Sequence, residues 1–224
     1  MLEAEGICKA YGRRRILENL DLRADAGECV GILGSNGCGK TTLLSILAGA
    51  QRPDKGRILL GGQDTAGRPE VFSRQAAYVP QENPLMEELS VRDNLLLWHR
   101  GSRKELERDL AEGPAAMLGV SSMLRQRAGH LSGGMKKRLS IACALSNRAP
   151  VLIMDEPGAA LDLECKEAIR QYLQDYRKKG GTVVLTSHEM EELSLCTRMY
   201  VLKNGNLAEI AGGLSAGELI GLFR

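Results

Sequence analysis

Gly34-Ser35-Asn36-Gly37-Cys38-Gly39-Lys40-Thr41-Thr42 has the residue types and spacing of a loop that wraps a phosphate chain. The pattern G-x-x-x-x-G-K-[ST] needs Gly34, Gly39, Lys40 and Thr41 where they stand. Glycines let the backbone curl until several N–H groups and a helix N-terminus point at one anion. Lys40 adds a mobile positive charge toward β- and γ-phosphates, and the Thr41 hydroxyl can hold Mg2+. The apolar run 30–33 before the loop reads as a buried strand, and 42–48 after it as a helix. That strand–loop–helix setting is what the chemistry requires.

Three further groups suit chemistry on a phosphate. Asp155 and Glu156 end the apolar run 151–154, and ligands of open α/β sheets bind beyond the carboxyl ends of strands. Asp155 is placed beside a Mg2+ shell, and Glu156 is free to orient a water or take its proton. His188 closes Thr186-Ser187-His188 after another apolar run, where an imidazole can reach a γ-phosphate. His99 and His130 fall in helical or loop segments and carry no such signal. Cys38 lies inside the loop beside Lys40 and a helix N-terminus, features that make a thiol reactive. Its alkylation is expected to block nucleotide binding, and bound nucleotide to protect it.

The elements that must position these groups alternate between strand and helix. Residues 2–33 set Leu2, Ala4, Gly6, Cys8, Ile16, Leu20 and Leu22 on one face, the pattern of antiparallel strands with one side buried. A turn at 53–56 leads to a strand at 57–60, and 75–79 reads as a strand closed by Pro80. From about Pro84 to Ala144 the pattern is helical. Ser90 with Asp93 opens one helix, 103–118 forms another broken at Gly113-Pro114, and Ser132 caps a third carrying Met135, Leu139, Ala142 and Cys143. Strand 151–154, helix 163–179, strand 182–186, helix 189–195 and strand 198–202 follow. Strand–helix–strand order implies a parallel sheet wrapped by helices.

At 224 residues the chain suits one domain, with neither an internal repeat nor a linker. Its net charge of +2 argues against a dedicated nucleic-acid binder, and Arg13-Arg14-Arg15 reads as a solvated turn. The six cysteines show no metal spacing and suit a reducing cytoplasm. No signal-peptide core is evident, and no apolar run approaches the roughly 18 residues that span a bilayer. A membrane component, if there is one, would be another polypeptide. The tail from about Asn206 to Arg224 is too short for a regulatory domain.

Leu131-Ser132-Gly133-Gly134-Met135 before the basic segment Lys136-Lys137-Arg138, with Asp155-Glu156 shortly after, resembles the ATP-binding subunits of ABC transporters. The resemblance runs from Tyr11 to about Gly205, and the Leu-Ser-Gly-Gly signature is rare in other phosphate-loop families. It implies an α/β P-loop NTPase core with an antiparallel β subdomain and an inserted helical subdomain, about 84–144, within one domain of residues 1–224.

It also implies roles. Tyr11 would stack on adenine. Glu156 would be the catalytic base, His188 would contact the γ-phosphate, and Gln81, unremarkable by itself, would touch Mg2+ and water in a loop that senses the membrane partner. Asp162 matches the loop that crosses a dimer interface. Ser132, Gly133 and Gly134 would cap the γ-phosphate of ATP held by an opposite subunit. Met135 stands where glutamine is commonest, and with Lys136-Lys137-Arg138 it resembles the branch serving drug, antibiotic and polysaccharide exporters.

The expected activity is ATP hydrolysis with Mg2+. It would be carried out by a homodimer or heterodimer on the cytoplasmic face of a membrane, driving a separate transmembrane permease. A soluble relative, such as one serving iron–sulfur assembly, shares every ATP motif. A nucleotide sensor with dead catalysis is disfavoured by Glu156 and His188.

Overall fold

The computed structural model describes residues 1–210 except Asn147 and Ala160. The chain opens with β1 (Leu2–Tyr11) and β2 (Arg14–Ala24), an antiparallel hairpin turned at Gly12, whose φ of 60° suits glycine. The burial alternation differs from the simple period of two. Ile7 and Leu17 are buried, whereas Gly6, Cys8 and Ile16 are only half-buried. Gly6 at φ 61° and Asn19 at φ 54° mark bulges that shift the register between Ala4 and Ile7 and move the inward face by one residue.

Strand β3 (Cys29–Leu33) enters the phosphate loop, and α1 (Lys40–Leu47) leaves it. Strands β4 (Lys55–Leu60) and β5 (Gln63–Asp64) complete an antiparallel sheet in the order β2-β1-β4-β5. Helix α2 (Pro69–Gln75) takes Gln75 from the expected strand, so β6 spans Ala76–Val79.

The helical region begins at Val91 rather than at Pro84. Residues 81–89 form no helix, because the buried Asn94 side chain holds the Met86 backbone by both its N–H (2.9 Å) and its C=O (3.0 Å). Helix α3 (Val91–Trp98) is capped by Ser90, whose hydroxyl accepts from Asp93 N–H at 3.1 Å. Ser102 and Glu105 form a full capping box on α4 (Arg103–Glu112), and Gly113 breaks it from α5 (Pro114–Met117) as expected. Helix α6 (Gly133–Ser146) follows the signature turn.

The α/β order then resumes with β7 (Val151–Asp155), α7 (Leu163–Lys178) and β8 (Thr182–Thr186). Helix α8 covers only Met190–Leu193 of the expected 189–195. Strand β9 (Arg198–Lys203) turns at Asn204-Gly205, both at positive φ, into β10 (Asn206–Ile210). The expected tail therefore begins as a hairpin strand, and Asn-Gly between two extended runs is the signal for it. Residues 211–224 of that tail lie outside the described residues.

The second sheet runs β10-β9-β3-β8-β7-β6, parallel except for β10 at its edge. Both faces of its centre are covered, which is why β3, β7 and β8 are buried at every position. Val30, Ile153 and Val184 pack with α1 and the antiparallel sheet. Leu152, Met154, Val183 and Leu185 pack against α6 and α7 on the other face. Five neighbouring parallel strands, β9-β3-β8-β7-β6, thus end on one edge. Among the described residues no helix is long and apolar enough to cross a membrane.

Candidate active site

The carboxyl ends of β3, β6, β7 and β8 deliver the phosphate loop, Gln81, Glu156 and His188 to one place. Asn36, Gly37, Gly39, Lys40, Thr41 and Thr42 line a cleft of about 440 Å³ together with Gln81, Glu156 and His188. Ligand sites of open α/β sheets form at such edges.

Two glycines shape the loop. Gly39 has φ 114°, and a Cβ there would lie 2.7 Å from Ile16 Cγ2. A Cβ on Gly34 would meet the Leu202 carbonyl at 2.7 Å, so the loop presses directly against β9. Gly39 caps α1 without a side-chain hydrogen bond, which leaves the helix's first N–H groups open to an anion. The Lys40 ammonium donates to the Gly34 carbonyl at 2.7 Å and the Ser35 carbonyl at 3.2 Å. Ser35 and Cys38 line an adjoining cleft with Arg15 and Asn204. Cys38 therefore belongs to the face of the loop that lines this adjoining cleft and not to the wall that carries Lys40.

Glu156 is the centre of the arrangement. It has a positive φ of 49°, a conformation that costs a non-glycine residue about 1–3 kcal/mol and marks functional positions. Its N–H is held by the Thr186 carbonyl at 3.2 Å and the Thr186 hydroxyl at 3.1 Å. Gln81 Nε2 donates to Glu156 Oε2 at 3.4 Å, and His188 Nε2 lies 3.3 Å from Oε1. One carboxylate is thereby aimed by groups from two other strand ends.

Asp155 is 1% exposed. Its Oδ1 accepts from the Thr186 hydroxyl at 2.6 Å, while the buried Oδ2 has no hydrogen-bond partner. An unpaired buried carboxylate oxygen is costly unless a cation or its water meets it. Asp155 does not itself line the cleft, but it directly precedes Glu156, which does along with Thr41, and its unpaired oxygen fits a Mg2+ ion carried in with phosphate.

The other expected residues stand apart from this cleft. Tyr11 is half-exposed and not on the cleft wall. Gln51 Nε2 donates to its hydroxyl at 2.6 Å, and Lys9 Nζ lies 5.9 Å from its ring centre. Its cross-strand partner Arg14 does line the cleft, which the solvated-turn reading of 13–15 missed. Ser132 caps α6, its hydroxyl accepting from Met135 N–H at 3.3 Å, and Ser132 and Gly133 are exposed. None of Ser132, Gly133 and Gly134 lines the cleft of their own chain. Asp162 caps α7 through Cys165 N–H at 2.9 Å and pairs with Arg138, and these contacts hold its carboxyl below the usual range.

Two residues that the sequence reading passed over complete the site's frame. Thr186 bonds both acidic residues, and its place two residues before His188 at a strand end was the available signal. Lys137, read as part of a basic run, is 3% exposed, and its ammonium donates to the Pro80 carbonyl at 3.1 Å and the Gln81 carbonyl at 3.4 Å.

Known proteins give the same picture. The ABC transporter family matches residues 17–159. The Nod factor export ATP-binding protein I of Paraburkholderia xenovorans is 38% identical over 223 residues, covering 97% of this chain and 73% of that protein. The solved structure of an ATP-binding subunit of an ABC transporter superposes with a TM-score of 0.91 at 29% identity, covering 99% of this chain and 98% of that one. A dimeric ATP-binding cassette in a post-hydrolysis state with ADP and Pi superposes with a TM-score of 0.84 at 27% identity, covering 95% and 100%. With its phosphate loop, its aimed carboxylate and its sheet order in place, the chain belongs to the ABC transporter family as an ATP-binding, ATP-hydrolysing subunit.

Proposed function

We propose that two copies of this chain, or one copy and a paralogue, close around two ATP molecules and reopen on hydrolysis, driving export by a separate membrane subunit. Residues 1–224 act as one cassette domain whose helical part lies within about 84–144. The observation that carries the reading is the meeting of Gln81, Glu156 and His188 beside Lys40 and Thr41.

In this reading the Gly34–Thr42 loop holds the ATP phosphates, Lys40 leaving its loop carbonyls for the β- and γ-phosphates. Thr41, Gln81 and Asp155 hold Mg2+, which when bound neutralises charge on the phosphates. Glu156 orients the attacking water and takes its proton, and His188 donates to a γ-phosphate oxygen. Tyr11 supports adenine. Ser132 and Gly133 are exposed at a helix N-terminus, and with Gly134 they stay off the wall of their own chain's cleft, so their anion site serves the ATP of the opposite subunit, with Asp162 beside the joint.

The membrane partner docks next to the Gln81 loop. Met86, Leu89, Leu96, Leu97 and Trp98, which follow that loop in the chain, are all exposed, and large apolar side chains left exposed together suit a protein interface. In this reading the chain sits against the cytoplasmic face of a membrane, held there by its partner, and its near-neutral charge argues against a nucleic-acid partner. Similarity to a Nod factor export protein, together with Met135-Lys136-Lys137-Arg138, favours export over the soluble assembly-ATPase alternative.

The test is a pull-down of the tagged chain from detergent-solubilised membranes of its host. Recovery of a polytopic membrane protein in comparable amount supports the reading. Recovery only from the soluble fraction with soluble partners overturns it.

A further inference from the structure

We propose that Lys137 is a positioning residue: it ties the Gln81 loop to the helix behind the Ser132-Gly133-Gly134 turn, so that the Gln81 amide meets Glu156. The inference rests on the role given to Gln81 above.

A lysine almost never sits fully buried without partners, because burial of an ammonium is costly. Lys137 is 3% exposed and projects from the second turn of α6. Its two acceptors are the carbonyls of Pro80 and Gln81, where the chain leaves β6. That is where the loop needs an outside hold. The β6–β7 ladder ends at Val79 paired with Met154, and Pro80 has no N–H to extend it. Burial pulls the Lys137 pKa down, opposed by the nearby carboxylates Asp155, Glu156 and Glu192.

The consequence is mechanical. The helix that begins at Ser132 and the loop that carries Gln81 share one buried tether. If Ser132-Gly133-Gly134 engages the γ-phosphate of the opposite subunit, α6 settles relative to the sheet, and Lys137 carries the backbone at 80–81 with it. Gln81 then takes up its contact with Glu156 when both subunits are engaged. A lysine that merely packed α6 against the sheet would make no such link.

The experiment compares Lys137→Met, Lys137→Gln, Gln81→Ala and the Lys137→Met/Gln81→Ala pair in the full chain. Steady-state ATPase rates and fluorescent-nucleotide affinity are measured for each. Lys137→Met is expected to lower kcat about tenfold with nucleotide affinity changed less than about twofold. Lys137→Gln keeps a donor for the same carbonyls and recovers part of the loss. Gln81→Ala alone lowers kcat several-fold, yet costs less than about a further twofold in Lys137→Met, because residues acting through one contact are not additive.

Losses that multiply, or a Lys137→Met enzyme with parental kcat, overturn the inference while leaving Gln81's role intact. So does a fall in kcat matched by an equal fall in affinity. A Gln81→Ala enzyme with parental kcat overturns the inference together with the reading beneath it. If Lys137→Met does not fold, Lys137→Gln paired with Gln81→Ala gives the same comparison.

Discussion

His188 Nε2 lies 3.3 Å from Glu156 Oε1, and the other oxygen of that carboxylate receives the Gln81 amide at 3.4 Å. A carboxylate engaged through both oxygens has a fixed orientation, and a base is useful only if it is aimed. The strained backbone of Glu156 and its two bonds to Thr186 serve the same end.

Removing the imidazole should therefore affect turnover and spare binding. His188→Ala is expected to lower kcat about 100-fold, the cost of losing one donor at a developing charge. ATP affinity should stay within a few-fold, because the phosphate loop is untouched. Rate and nucleotide titration on the same preparation check this, and a comparable loss in both would place His188 in binding.

Thr186 supports both acidic residues with one buried hydroxyl. Thr186→Val removes the donor to Asp155 Oδ1 and an acceptor from the Glu156 N–H. Asp155 would then have both oxygens unpaired at a position 1% exposed. The expected cost is about 1–3 kcal/mol in denaturant unfolding, with more Mg2+ needed for half-maximal activity. Thr186→Ser keeps the hydroxyl and should behave like the parent. Equal Mg2+ titrations for the valine and serine variants would contradict the account.

The fold and the motif residues were legible in the sequence for a simple reason. The phosphate loop, Asp155-Glu156 and Thr186-Ser187-His188 each follow an apolar run short enough to be only a strand, and strand ends gather ligands in this architecture. What escaped was decided by tertiary contacts. Bulges at Gly6 and Asn19 moved the buried face of the first hairpin to Ile7 and Leu17, and nothing in the alternation revealed them. Asn94 kept residues 81–89 out of helix by holding Met86 across the turn. Lys137 looked like any exposed lysine in a basic run, because its burial depends on a loop 56 residues away in sequence. Gln81 carried no signal without the family resemblance, since a lone glutamine after a strand is common. The hairpin strand at the start of the expected tail is different: Asn204-Gly205 between two extended runs is a local signal for it.

Cysteine chemistry offers a probe of the loop. Cys143 is buried in α6, and burial pushes its thiol up to about 12, so a neutral alkylating reagent should leave it unmodified near pH 7. Cys38 is only half-buried and sits in the phosphate loop. It should be alkylated well ahead of Cys143, and saturating ATP should slow the reaction by ordering the loop. Peptide mapping after timed labelling reads both sites. Equal Cys38 rates with and without ATP would remove the link between this thiol and the nucleotide.

The role of Glu156 is the central claim, and Glu156→Gln tests it most directly. The amide keeps the size of the side chain and can still hydrogen-bond Gln81 and His188, but it cannot take a proton from water. The variant should bind ATP like the parent, release phosphate at least about 100-fold more slowly, and accumulate as an ATP-bound dimer in sedimentation velocity with Mg2+. A Glu156→Gln chain that releases phosphate at the parental rate, or stays monomeric with saturating ATP and Mg2+, would contradict it.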